Sequence, residues 1–156
     1  MNALALTDHG NLFGAVEFYE KAIQAGIKPI VGCELYVAAG PLEGEDVKRW
    51  GRSRFHLTVL VRNEEGYRNL LLLASAAQLQ GQRGGRPCVD KGLLQAHTAG
   101  LLALSGCFSA EIPQALLHGD EAHARAEADW LVQAFGREHA FLEIMDHGTA
   151  EQTLVN

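Results

Sequence analysis

The stretch ALALTDHGNLFGAVEFY, residues 3–19, decides how the rest of the chain is read. An apolar run from Ala3 ends on the adjacent ionisable pair Asp8 and His9, then passes through Gly10 into a segment of helical period. Residues 3–7 read as a buried strand. Asn11 is placed to cap a helix reaching about Ala25, with Leu12, Val16, Tyr19 and Ile23 at helical spacing and Gly26 as its stop. The Asp-His-Gly step returns near the far end, at Asp146, His147 and Gly148.

Outward from that unit the pattern alternates. KPIVGCELYVA is β-rich, and FHLTVLV reads as another strand. EEGYRNLLLLASAAQLQ reads as a helix capped by Asn63. Residues 81–90 read as a loop, and a short helix at Lys91–His97 leads into the strand GLLALSG. Helices follow near 111–118 and 121–135, the second capped by Asp120. AFLEIMD reads as a last strand, and Thr149 with Gln152 resembles a capping box opening a further helix. Strands alternating with helices predict an α/β protein whose parallel strands are covered on both faces. A barrel and an open sheet both fit. Neither Gly-x-Gly-x-x-Gly nor Gly-x-x-x-x-Gly-Lys-Ser/Thr occurs, so nucleotide-binding signatures are absent.

Composition narrows the class. With 156 residues, 47% hydrophobic and 21% charged, the chain is sized and composed as one globular domain, residues 1–156. No apolar run approaches the ~20 residues of a membrane span. The N-terminus lacks a signal-peptide pattern, so a cytoplasmic location is expected. Three scattered cysteines do not make a disulfide framework. A net charge of −6 predicts weak or no nucleic-acid binding by this chain alone. Two basic stretches, KRWGRSR (Lys48 to Arg54) and RGGR (Arg83 to Arg86), read as solvated loops. Regular structure begins directly after Asn2, and the last helix stops two turns in, so the chain reads as a piece of something longer.

In parallel α/β folds the chemistry sits at the carboxyl ends of strands. Asp8 and His9 end the first strand, Glu34 ends PIVGC, Cys107 ends LLALSG, and Asp146 and His147 end FLEIM. His56 opens its strand instead. It reaches the same mouth only if ELYVA and FHLTV run antiparallel, with the chain returning through residues 40–54. Imidazole, carboxylate and thiolate together suit zinc or a similar transition metal, which would activate water or clamp a phosphate ester. Taken singly, each residue has a plainer use: a capping histidine, a carboxylate on backbone amides, a small buried thiol. The coincidence of four positions brings the metal reading level with the plainer ones, and no His-x-His or Cys-x-x-Cys pair strengthens it, so both stay open on the residues alone. His97, His118, His123 and His139 lie in or beside helices with no polar cluster nearby. Cys33 points away from Glu34 by strand alternation, and Cys88 falls in a loop.

ALTDHGNLFGAVEFYEKAIQAGIKPIVGCELYVA, FHLTVLVRNEEGYRNLLLLAS and GLLALSGCFSAEIPQALLHGD together resemble the polymerase-and-histidinol-phosphatase (PHP) domain of bacterial DNA polymerase III alpha subunits. The resemblance implies a distorted seven-stranded β/α barrel with up to three metal ions, zinc among them, at its mouth. It places metal ligands at His9, Glu34, His56 and Cys107, with Asp8 in support. It implies an incomplete barrel here, since the family's opening His-x-His and closing Asp-x-His motifs do not occur. The polymerase carboxylates lie far downstream in the family. In intact relatives it implies DNA polymerisation by that downstream core, contacts with DNA and other replisome subunits, and a PHP barrel that acts as a metal-dependent 3′–5′ exonuclease or as a scaffold. For this chain alone it implies no polymerase activity and weak or no phosphoesterase activity, with its metals under-coordinated. Asp146 and His147 match no metal motif of the family and read as a structural turn. The alternatives are a free-standing PHP phosphoesterase acting on a small phosphate monoester, and a metal-free interaction module.

Overall fold

The first strand runs on through the ionisable pair. In the computed structural model, which describes residues 1–156, β1 spans Ala3–His9 and lies parallel to β2, Lys28–Ala38. β2 outruns its neighbour. β1 covers one of its edges up to Glu34, and β5, Arg86–Val89, takes over that edge at Tyr36 and Val37. On the other edge β2 runs antiparallel to β3, Arg54–Val61. β3 pairs antiparallel with β6, Leu101–Leu104, which pairs in parallel with β7, Ala140–Phe141. β4, Gln82–Arg83, forms a hairpin with β5. The sheet therefore runs β4-β5-β2-β3-β6-β7, with β1 beside β2, and it does not close on itself.

Four expectations change here. The sheet is mixed rather than parallel, because β3 reverses after the 40–54 return. Residues 81–90 are not a loop: Gly84 and Gly85, both in the left-handed region, turn β4 into β5 and bury Cys88 in a strand. The last strand shrinks to Ala140–Phe141, since Leu142 and Ile144 find no second layer to pack on and stay exposed. Glu34 lies in the middle of β2 rather than at its end.

Helix starts follow their caps. Asn63, Asp90, Asp120 and Thr149 each accept a bond from the amide three residues on. They open α2 (Glu64–Gln80), α3 (Lys91–Ala96), α5 (Glu121–Phe135) and α6 (Ala150–Val155), while α4 spans Glu111–Leu117. α1 is Ala15–Gln24, starting three residues later than a cap at Asn11 suggested. The Asn11 side chain accepts from Phe13 N, two residues on, so it closes a tight turn instead of capping the helix.

Strand alternation separates two faces. Cys33, Leu35, Val37, Leu57, Val59 and Ala103 point to a core completed by Leu70, Leu73 and Ala77 of α2, Leu94 of α3, and Leu131 and Phe135 of α5. Each large apolar side chain buried there contributes about 1.5–3 kcal/mol. A slip of one residue would expose that set and bury Glu34 and His56, so the core fixes the register of the other face.

Candidate metal centre

The β1–β2 register sets His9 directly beside Glu34, and the β2–β3 register sets Tyr36 beside His56. Glu34, Tyr36 and His56 therefore share the face opposite the core. β3 runs against β2, so its first residues arrive where β1 ends. The fourth group comes from the turn after β6. Gly106 takes φ +89 there, and Cys107 lies three residues beyond Leu104.

The contacts centre on one carboxylate. Glu34 Oε2 is 3.3 Å from His9 Nε2, and Glu34 Oε1 is bonded to His56 Nδ1. Cys107 Sγ lies 3.4 Å from both Glu34 Oε1 and His56 Nδ1. The donor atoms of His9, Glu34 and His56 all fall within 4.8 Å of one another. Ligands roughly 2.0–2.3 Å from one tetrahedral ion would stand about 3.3–3.7 Å apart, so these spacings fit a shared metal. Nitrogen, oxygen and sulfur donors fit the same class of ion.

Electrostatics follow from the contacts. Hydrogen bonding to Cys107, then to Glu34, raises the His56 pKa to about 9. The hydrogen bond from His56 holds the Glu34 carboxyl below its ordinary value. Burial pushes the Cys33 thiol up to about 11 and Cys88 upward too, so both stay protonated inside the protein. Cys107 alone of the three is partly exposed.

Asp8 faces the other way. Its Oδ2 accepts from Gly14 N at 3.2 Å, which ties the end of β1 to the start of α1. Gly10 takes φ +66 between them, and a Cβ there would lie 2.9 Å from Pro87 and 3.1 Å from the Tyr36 ring. Asp146 and His147 stay outside the cluster. Asp146 accepts from Gly148 N, and His147 bonds Gln152, so both brace the turn into α6.

Several polar residues escaped the sequence reading. KRWGRSR is not a solvated loop: Arg49 reaches His123, Arg52 Nε donates to Gln114 Oε1, and Trp50 stacks on His118. His123 accordingly does belong to a polar cluster. Its Nε2 is 2.7 Å from Glu111, and Lys91 joins Glu111 at 2.9 Å and also Glu127. Arg52, Arg54 and Arg86 line a cleft of about 710 Å³ with His9, Tyr36 and His56. Arg52, Arg54 and His56 alternate along the chain, which was the available signal. Glu143 comes near the centre as well, and burial, then the charge of Glu34, raises its pKa. A larger groove of about 1020 Å³ beside α1 is mostly apolar and contains none of the four donors.

No helix is long and apolar enough to cross a membrane. Residues 1–147 match the family model of the PHP domain. The DNA polymerase III subunit alpha of Thermus aquaticus is 49% identical over 157 residues, covering 99% of this chain and 12% of that protein. The corresponding subunit of Treponema pallidum is 44% identical over 153 residues, covering 98% of this chain and 13% of the relative. That of Deinococcus radiodurans is 44% identical over 153 residues, covering 96% and 11%. The chain thus spans a small part of the length of these relatives, and nothing in them favours the monoesterase alternative. A match running from the first residue to His147 shows the family: the chain belongs to the PHP domains, with a PHP-type β/α barrel that does not close here.

Proposed function

We propose that this chain is the PHP portion of a bacterial DNA polymerase III alpha subunit and binds zinc, or another divalent transition metal, through His9, Glu34, His56 and Cys107. The convergence of these groups from β1, β2, β3 and the turn after β6 carries the reading. A bound ion would supply Lewis acidity and an activated water for phosphoester hydrolysis. Glu34 holds the two imidazoles in place, while Asp8 anchors the turn that presents His9. In a polymerase subunit the fitting reaction is removal of nucleotides from a DNA 3′ end. The parent protein would polymerise DNA elsewhere along its length, in the cytoplasm, among other replisome subunits.

Zinc titration of the metal-stripped chain, followed by elemental analysis, tests the assignment. We expect one zinc per chain, with retention falling at least tenfold in Glu34→Gln and in Cys107→Ser. Equal zinc retention by a Glu34→Gln/His56→Ala double variant would overturn it. Hydrolysis of a single-stranded 3′ end by the zinc-loaded chain is expected to be slow, because four donors are fewer than the family's full set.

A further inference from the structure

We infer that Arg52, Arg54 and Arg86 form an anion subsite for the backbone of a nucleic-acid strand, next to the metal centre. The inference deepens the proposed function, since it assigns the substrate class of the same cleft.

Charge pairing is the first observation. Of thirteen Lys and Arg residues only Arg68 and Lys91 pair with carboxylates, although acids outnumber bases. The three cleft arginines have no carboxylate partner within ion-pair distance, yet they are positioned. Arg52 is held through Nε by Gln114, which is 2% exposed, and this leaves its terminal nitrogens free. Arg54 and Arg86 lie 5.8 and 5.7 Å from the centroid of Tyr36, and Arg54 also donates to Arg83 O. The Tyr36 ring in turn meets the His56 ring at 5.1 Å. A row of guanidinium groups thus begins one aromatic ring away from a candidate metal ligand.

The same geometry selects the ligand. A small phosphate monoester brings one phosphate, which the metal would take, and leaves the arginines unanswered. A strand brings further phosphates on the neighbouring nucleotides, and guanidinium groups bind these strongly. Tyr36 is 5% exposed and already flanked by cations, so it offers no platform for stacking a base. The recognition is therefore of backbone rather than sequence, and is weak and salt-dependent in a chain of charge −6.

The test uses the whole chain, without metal, and the fluorescence anisotropy of a labelled oligothymidylate at low salt. Working in chelator separates this inference from the metal assignment, which zinc titration judges alone. Arg54→Gln/Arg86→Gln should weaken binding roughly tenfold and flatten the log K against log salt slope by about 1.4, for two lost phosphate contacts. Arg54→Lys/Arg86→Lys should recover part of the affinity, and Arg62→Gln, just past the far end of β3, should change nothing. Circular dichroism melts check that each variant is folded. Failure of the parent to bind, or parental affinity in the folded double variant, would overturn the subsite. So would equal competition by thymidine monophosphate and the oligomer, because then a single phosphate suffices.

Discussion

Glu34 meets two imidazoles and a thiol on one carboxylate, so protons and metal compete for the same few ångströms. His56 bears most of that competition. Its pKa stands at about 9 rather than the ordinary 6.5, because Cys107 and Glu34 favour the imidazolium. A metal ligand must be neutral imidazole, so zinc has to displace that proton. Zinc affinity should therefore climb from pH 6.5 to about 9 and then level off, with proton release visible by calorimetry in buffers of different ionisation enthalpy. The metal-free fold should respond in the opposite sense. A folded pKa above the unfolded one stabilises most below pH 6.5, and that contribution is lost as pH rises through about 9. Zinc affinity that is flat across this window would remove His56 from the centre.

Elements meet at two places where backbone or charge leaves little slack. The first turn of α2 packs on the turn before β6 so closely that a Cβ on Gly66 would lie 1.9 Å from Gly100 O. Gly66→Ala should cost about 1–3 kcal/mol by urea denaturation, as overpacking does. Gly92→Ala, in α3, where a Cβ would make only an ordinary contact with Asp90 Oδ1 at 3.5 Å, should be neutral or stabilising by up to about 1 kcal/mol. The second place is the charge cluster joining α3, α4 and α5. Lys91 is the one Lys or Arg paired with Glu111 and Glu127, both buried, and Lys91→Ala should destabilise by about 3–5 kcal/mol at neutral pH. Burial, and then the charge of Glu111, raises the Glu127 pKa, so the protonated form suits the fold. Stability from that group is fullest below the ordinary carboxylate value and lost as pH rises through the raised one, so the variant's deficit should shrink in acid. Neither feature was legible in the sequence, whereas the caps at Asn63, Asp120 and Thr149 each rest on a bond to the amide three residues on and could be read directly. Lys91, Glu111 and Glu127 are brought together only by packing of three helices. The direction of β3 depends on pairing across the 40–54 return, and residues 40–54 permit that return without dictating it. Four of the groups in the candidate centre could nevertheless be named in advance, because motif residues mark them individually. The arginines around them were read as solvated instead, because basic residues near glycines usually are, and the alternation of Arg52 and Arg54 with His56 was passed over.

The whole molecule is an open sheet, and its first strand has a strand partner along one edge only. β1 pairs only with β2, and α1 leaves Val16, Tyr19 and Ile23 exposed while covering little of it. A metal ion bound by His9, Glu34, His56 and Cys107 would cross-link β1 to β2, β3 and the turn after β6. It would bind the folded chain and not the unfolded one. At free zinc one hundred times the dissociation constant the gain is about 2.7 kcal/mol. For a chain of this size that corresponds to a rise in melting midpoint of roughly 5–11 °C. The location of the effect discriminates further than its size. Hydrogen exchange should slow in β1 on adding zinc to the parent chain, because opening that strand then requires breaking a metal bond. In His9→Ala the remaining three ligands would still raise the midpoint, by less, while β1 exchange stays at its metal-free rate. If zinc protects β1 equally in both proteins, or raises the midpoint without touching β1 in either, the ion sits elsewhere and the four groups at the barrel mouth do not share it.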